Sequence, residues 1–190
     1  MTNHTVSAGV SRRALVRAFA ATTVAAAPVY ANAFGFLRGA GDIRRLKMYN
    51  GRTGETLDMI YWIEGDYIRD AKQAIDHFMR DWRSNDVHAI DFRTLDILAA
   101  THNILDVSEP YMLLSGYRSP ATNAMLRARG QGVARNSRHM RGEAADVRLT
   151  SRSVTQMARA AASCRAGGVG RYSRSNFVHM DCGPVRTWGG

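Results

Sequence analysis

The chain has 190 residues, 45% of them hydrophobic and 8% aromatic, which is enough apolar material for one ordinary domain with a single core. Its formal net charge is +10, from 26 basic and 16 acidic groups. The arginines are scattered and no nucleic-acid-binding motif accompanies them, so no nucleic-acid partner is expected; an anionic polymer bearing carboxylates suits the charge equally well.

The chain begins with an address. Ser11-Arg12-Arg13-Ala14-Leu15-Val16 has the form of a twin-arginine export motif, and the mildly apolar run Ala18 to Val29 leads to the small-x-small site Ala31-Asn32-Ala33. That run is too short and too alanine-rich for a membrane span, which needs about 20 apolar residues. Residues 1–33 therefore read as a signal peptide cleaved after Ala33, with export to the bacterial periplasm. No later stretch reaches spanning length, so a soluble mature protein without stable membrane insertion is expected. Residues 34–43 read as a flexible lead and 44–190 as a single domain.

Arg45 to Tyr49 alternates polar and apolar residues as a strand does, Asn50-Gly51 and Thr53-Gly54 are turn signals, and Thr56 to Ile63 returns as the partner strand. A helix follows with Asp66 as its cap and Tyr67, Ala71, Ala74, Ile75, Phe78, Met79 and Trp82 at helical spacing. His77 lies within it and reads as structural. Arg83-Ser84-Asn85-Asp86 breaks the pattern, and a second helix runs from about Asp91, flanked by His88 and His102 in surface or packing roles. Tyr111 to Ser115 is a short apolar run, a central strand that delivers Gly116-Tyr117-Arg118-Ser119-Pro120. Ser119 caps the helix that Pro120 opens, and Gly130-Gln131-Gly132 ends it.

The chemistry concentrates in Asn136 to Val147, which reads S-x-H-x-x-G-x-x-x-D from Ser137 to Asp146, and in Phe177-Val178-His179-Met180-Asp181. His139, Asp146 and His179 offer two imidazoles and a carboxylate, the ligand number of a catalytic zinc site that leaves the fourth position for water. Gly142 permits a tight turn between the first two ligands, and Ala144-Ala145 starts a strand that presents Asp146 on one face. Ser137 either orients His139 or supports the loop, while Arg141 and Glu143 carry no assigned chemistry. A helix from Ser153 to Ser163 follows. Gly167-Gly168-Val169-Gly170 reads as a turn approaching the site; it is no phosphate loop, because the lysine and the following Ser or Thr are missing. Tyr172 lines the cleft and contacts substrate in this reading. Phe177, His179 and Asp181 fall on one face of the last strand. Cys164 and Cys182 are considered as zinc ligands, but an oxidising compartment makes a disulfide between them the stronger expectation.

Ser-x-His-x-x-Gly-x-Ala-x-Asp followed by a late histidine on a strand resembles the zinc peptidases that include D-alanyl-D-alanine peptidases, L-alanyl-D-glutamate endolysins and the hedgehog domain. The resemblance is closer to the periplasmic murein endopeptidases of the K type, and extends over Leu46 to Trp188. It takes in Asn50 to Glu55, Ser115 to Pro120, Gly167 to Tyr172 and Phe177 to Asp181. An α+β fold is expected, a small antiparallel sheet carrying the ligands with helices on one side, as is a monomer bearing Zn2+; the resemblance implies that it cuts peptide stems or cross-links of peptidoglycan. It also implies that Arg118 faces the site to hold substrate or the oxyanion, a task suited to a two-donor guanidinium. Many relatives carry Glu three residues before the last histidine, or His two before it; here those positions are Asn176 and Phe177. Asp181 then stands as the general base or, equally, as the group that orients His179. A carboxypeptidase trimming terminal D-alanine and a non-catalytic zinc-stabilised wall-binding module are the alternatives.

Overall fold

In the computed structural model, which describes residues 40–190 except Gln131, the alternation at Arg45 to Tyr49 becomes strand β1 (Ile43–Tyr49), paired antiparallel with β2 (Thr56–Ile63). The signal segment and most of the expected lead lie outside the described residues. The chain continues through β3 (Asp66–Tyr67), α1 (Arg69–Phe78), α2 (Phe92–Leu105), β4 (Tyr111–Ser115), α3 (Pro120–Ala128) and a 3-10 turn over Arg138–Arg141. It ends with β5 (Ala144–Arg148), α4 (Val154–Ser163), β6 (Gly168–Tyr172), β7 (Phe177–Asp181) and β8 (Arg186–Trp188). The fold is α+β.

The sheet is larger than expected and is not purely antiparallel. Eight strands run in the order β3-β2-β1-β4-β5-β7-β6-β8, with β1–β4 and β6–β8 parallel. Two further expectations change. Asp66 does not cap a helix: Glu64 and Gly65 take positive φ, the chain turns back, and Asp66 pairs with Ile63 in β3, leaving Ile68 at the N-cap of α1 without a side-chain bond. The glycine run is not a turn either, because Gly168 and Gly170 lie within β6 and give room to the side chains of β8.

The other helix starts follow their caps. Asp91 accepts from the Arg93 amide, Ser119 from Thr122 ahead of Pro120, and Ser153 and Gln156 form a capping box. Side-chain alternation then divides the sheet into two faces. Leu46, Met48, Tyr111, Leu113, Ala145, Val147, Val178 and Met180 are buried together with Leu95 and Leu98 of α2 and Met157 and Ala161 of α4. The other face carries a row set by the register: Ser115 pairs with Asp146, Asp146 with His179, His179 with Gly170, and Gly170 with Trp188. That row is the floor of the site.

Candidate active site

Three ligand atoms converge on this row. Asp146 Oδ1 lies 2.8 Å from His179 Nδ1 and 3.2 Å from His139 Nε2, and the two ring nitrogens are 3.2 Å apart. Tetrahedral zinc at about 2.0–2.2 Å from each ligand requires ligand atoms roughly 3.3 Å apart, so the triad fits such an ion with little adjustment. Among the described residues it is the group of His, Cys, Asp and Glu side chains with metal-binding spacing. Asp146 and His179 are opposed in register on β5 and β7, while His139 comes from the 3-10 turn before β5. Gly142 closes that turn at φ +66°, and a side chain there would collide with the Ala89 carbonyl, so the glycine is needed on both counts.

The tautomers are set by the second nitrogen of each ring. His139 Nδ1 is 2.7 Å from the Gly116 carbonyl, which can only accept, so Nδ1 carries the proton and Nε2 keeps its lone pair for a metal. His179 uses the opposite arrangement: Nε2 donates to Asp181 Oδ2 at 3.0 Å and Nδ1 faces the triad. Burial opposes charge on His179, yet its bonds to Asp146 and Asp181 prevail and raise its pKa to about 9. Burial likewise opposes ionisation of Asp146, but the facing imidazoles hold it far below the usual carboxylate range.

Asp181 is fully buried and its oxygens are occupied. Besides His179 they accept from Arg186 Nη1 and Nη2 at 3.0 and 2.7 Å and from the amides of Gly183 and Gly168 at 2.9 and 3.3 Å. Arg138 Nε lies 3.4 Å away. Of the two roles left open by the sequence, this geometry fits the orienting one: a carboxylate so held has no free oxygen to receive a substrate proton. Arg186, which sequence reasoning passed over, is the principal clamp.

Above the triad lies a cleft of about 1020 Å³ lined by Arg118, Ser137, Tyr172, Phe177 and Trp188 together with further arginines. Arg118 donates to Ser115 Oγ at 3.2 Å, stands 3.7 Å from Asp146 Oδ2, and leaves Nε without a partner among the described residues. Ser137 does not orient His139, since Gly116 holds that ring; its side chain lines the cleft. Tyr172 stacks on Phe177 at 4.5 Å, and its hydroxyl accepts from Trp188 Nε1 at 3.0 Å. The Trp188 ring reaches to 5.3 Å from that of His179 because Gly170, between them in register, has no side chain. His77 and His102 are remote from the triad in role: the His77 carbonyl accepts from Arg80, and His102 bonds the Glu109 carbonyl. His88 stacks on Tyr117 at 4.7 Å. Glu55 grips Arg80 at 3.0 and 3.1 Å, a hairpin brace.

The expected disulfide is absent. Cys164 and Cys182 are free and buried, the first 3.9 Å from Thr101 Oγ1 and the second beside Thr94. Those threonines are two turns apart on α2, about 10 Å along its axis, so each thiol packs against its own turn of the helix. Burial raises both thiol pKa values, and neither cysteine belongs to the described group with metal-binding spacing.

The family described as peptidoglycan L,D-endopeptidase MepK matches residues 38–188. The protein of that name from Escherichia coli is 42% identical over 145 residues, covering 76% of this chain and 80% of the relative. The probable counterpart from Haemophilus influenzae is 38% identical over 148 residues, covering 77% and 80%.

Proposed function

Since the chain belongs to the peptidoglycan L,D-endopeptidase (MepK) family, we propose that it is a zinc-dependent hydrolase that cuts peptide cross-links of the bacterial cell wall at a bond joining an L to a D centre. The observation that carries this reading is the convergence of His139 Nε2, Asp146 Oδ1 and His179 Nδ1 within 3.2 Å of one another on the floor of the cleft. Zinc bound there would supply Lewis acidity, polarising the scissile carbonyl and lowering the pKa of water.

The protein's own groups do the rest. Gly116 and Asp181 hold the two imidazoles in the tautomers that present lone pairs inward. Arg118, anchored on Ser115 with Nε unpartnered, stabilises the carbonyl oxygen as it gains charge. Tyr172 accepts from Trp188 and keeps its own O–H to donate to substrate. An internal bond requires a passage open on both sides. Arg52, on the turn after β1, and Tyr172 and Trp188, on β6 and β8, line one cleft, and in sheet order they flank the ligand strands β5 and β7. This favours an endopeptidase over a carboxypeptidase.

A non-catalytic wall-binding module draws on a different observation: Asp146 and Asp181 are the carboxylates among the described lining residues, and both are engaged. Incubating the zinc-loaded protein with isolated peptidoglycan and analysing the released muropeptides by mass separates the readings. Chelator-sensitive loss of cross-linked dimers is expected. Loss of terminal residues alone would make it a carboxypeptidase, and no change with zinc bound would favour the module. His139→Ala should abolish zinc binding and hydrolysis together.

The proposed site of action is the periplasm, reached by twin-arginine export with cleavage after Ala33. No described helix is long and apolar enough to cross a membrane. Mature protein whose N-terminus is Phe34, absent from the periplasm of a strain lacking the twin-arginine translocase, is the expected result.

A further inference from the structure

Seven arginines line the cleft, and they differ in what holds them. Arg118, Arg138, Arg141 and Arg186 each face an acid, at 3.7, 2.6, 2.9 and 2.7 Å, and Arg148 donates to the Met112 sulfur at 3.1 Å. Among the described residues, Arg52 and Arg83 make no side-chain ion pair or hydrogen bond of either kind, although Asp81 acts on Arg83 through its charge. Their guanidinium carbons lie 4.6 and 4.1 Å from the centre of the same Trp82 ring, an arrangement that orients each planar fork while leaving its donors open.

Both residues are held on hydrogen-bonded turns. Asn50 Oδ1 accepts from the Arg52 amide at 3.0 Å, and the Glu55–Arg80 pair ties that turn to the end of α1. Asp81 accepts from the Arg83 amide at 3.1 Å and from Ser119 at 2.9 Å, while the Tyr117 amide bonds the Met79 carbonyl at 2.7 Å. These bonds dock Arg83 against the loop that carries Arg118. Arg118 is itself nine-tenths buried with Nε unpartnered. Burial first, and then the charge of Arg52, lower the pKa of Arg83, with Asp81 opposing the shift and Arg118 adding to it.

We propose that Arg52 and Arg83, stacked on Trp82, form a carboxylate subsite beside Arg118 that selects peptides carrying a free carboxylate close to the scissile bond. The inference rests on the reading of the cleft as a peptide site and names a determinant of its specificity. Two guanidinium forks facing one carboxylate make charge-assisted bonds that an amide cannot replace.

The test is calorimetric binding to the zinc-loaded protein, which needs no turnover. Three forms of one acidic stem tetrapeptide serve as probes: the free acid, the side-chain amide and the C-terminal amide. The wild type should bind the acid about tenfold more tightly than one of the amides, and the amide that suffers identifies which carboxylate is read. Arg52→Gln/Arg83→Gln should bring the forms within about twofold of one another, and Arg83→Gln alone should fall between. Arg45→Gln/Arg69→Gln removes the same charge from outside the cleft and should keep the preference. Equal affinity of the wild type for all forms, or an undiminished preference in the double cleft variant, would overturn the subsite. A preserved acid preference without muropeptide cleavage would instead defeat the endopeptidase reading and leave the subsite standing.

Discussion

Asp181 shows how a residue can be visible in the sequence while its role is not. Period-two spacing put it on the same face as His179, but a carboxylate there suits proton transfer and ligand orientation equally. The choice depends on Arg186, Gly168 and Gly183, which fill its oxygens, and no local signal sets Arg186 apart from the other arginines. Asp181→Asn should therefore weaken zinc binding about 10- to 100-fold while the fold is retained, as read by competition with a chromophoric chelator. Unchanged zinc affinity would exclude the orienting role. Gly170 makes a second test. A Cβ there would lie 2.6 Å from Trp188 Cε2, so Gly170→Ala should push the indole away from His179. Zinc should stay bound, and hydrolysis should fall on the order of 10- to 100-fold because the cleft wall has moved.

Among the elements, the segment after α1 is the one whose placement matters most. Its apolar spacing read as helix from Tyr67 to Trp82, whereas Tyr67 lies in β3 and the helix runs only over Arg69–Phe78; docking of Met79 to Asp86 on the Gly116–Ser119 loop is tertiary. Gly116 allows it, since a side chain there would collide with the Met79 carbonyl. Asp81 fixes it through the Ser119 and Arg83 amides. Burial opposes ionisation of Asp81, but hydrogen bonds led by Thr122 and the Ser119 amide outweigh it and lower the pKa. The sign follows from linkage. With the folded pKa below the unfolded value of about 3.9, the contribution is complete above that value and is lost as the pH falls through the folded pKa. Asp81→Asn should destabilise by about 1–3 kcal/mol at neutral pH, and its difference from wild type in urea unfolding should shrink as the pH drops below about 4. A difference independent of pH would reject the ionic contribution. The misread starts at Asp66 and Gly167 have one cause: turn and cap chemistry is local, while pairing of β3 with β2 and of β6 with β7 and β8 supplies bonds that override it.

At the scale of the molecule, α2 separates the two cysteines and the sheet assembles the cleft. Denatured protein kept from reductant should yield two free thiols per chain; none would mean that Cys164 and Cys182 are bridged and that the packing against Thr94 and Thr101 is rearranged. The expectation of an oxidising compartment argued for a bond, but compartment permits a disulfide without bringing two side chains together. The row Ser115–Asp146–His179–Gly170–Trp188 spans five strands drawn from 74 positions of sequence, and it joins the candidate ligands, the serine that anchors Arg118 and the Trp188 wall on one face.

The sequence by itself located the candidate ligands His139, Asp146 and His179, the cap at Ser119, the helix starts near Asp91 and Ser153, the β1–β2 hairpin and the strands that carry Asp146 and His179. Each is a short-range signal: a ligand type with a turn glycine, an oxygen ahead of an amide, an alternation of apolar residues. Tertiary structure alone decided the size and mixed order of the sheet, the partners that fill the Asp181 oxygens, the burial of both thiols unbridged and the meeting of Arg52 and Arg83 on Trp82. Those depend on which distant segments pair, and pairing is set by the burial of a whole face, which no short stretch of sequence encodes.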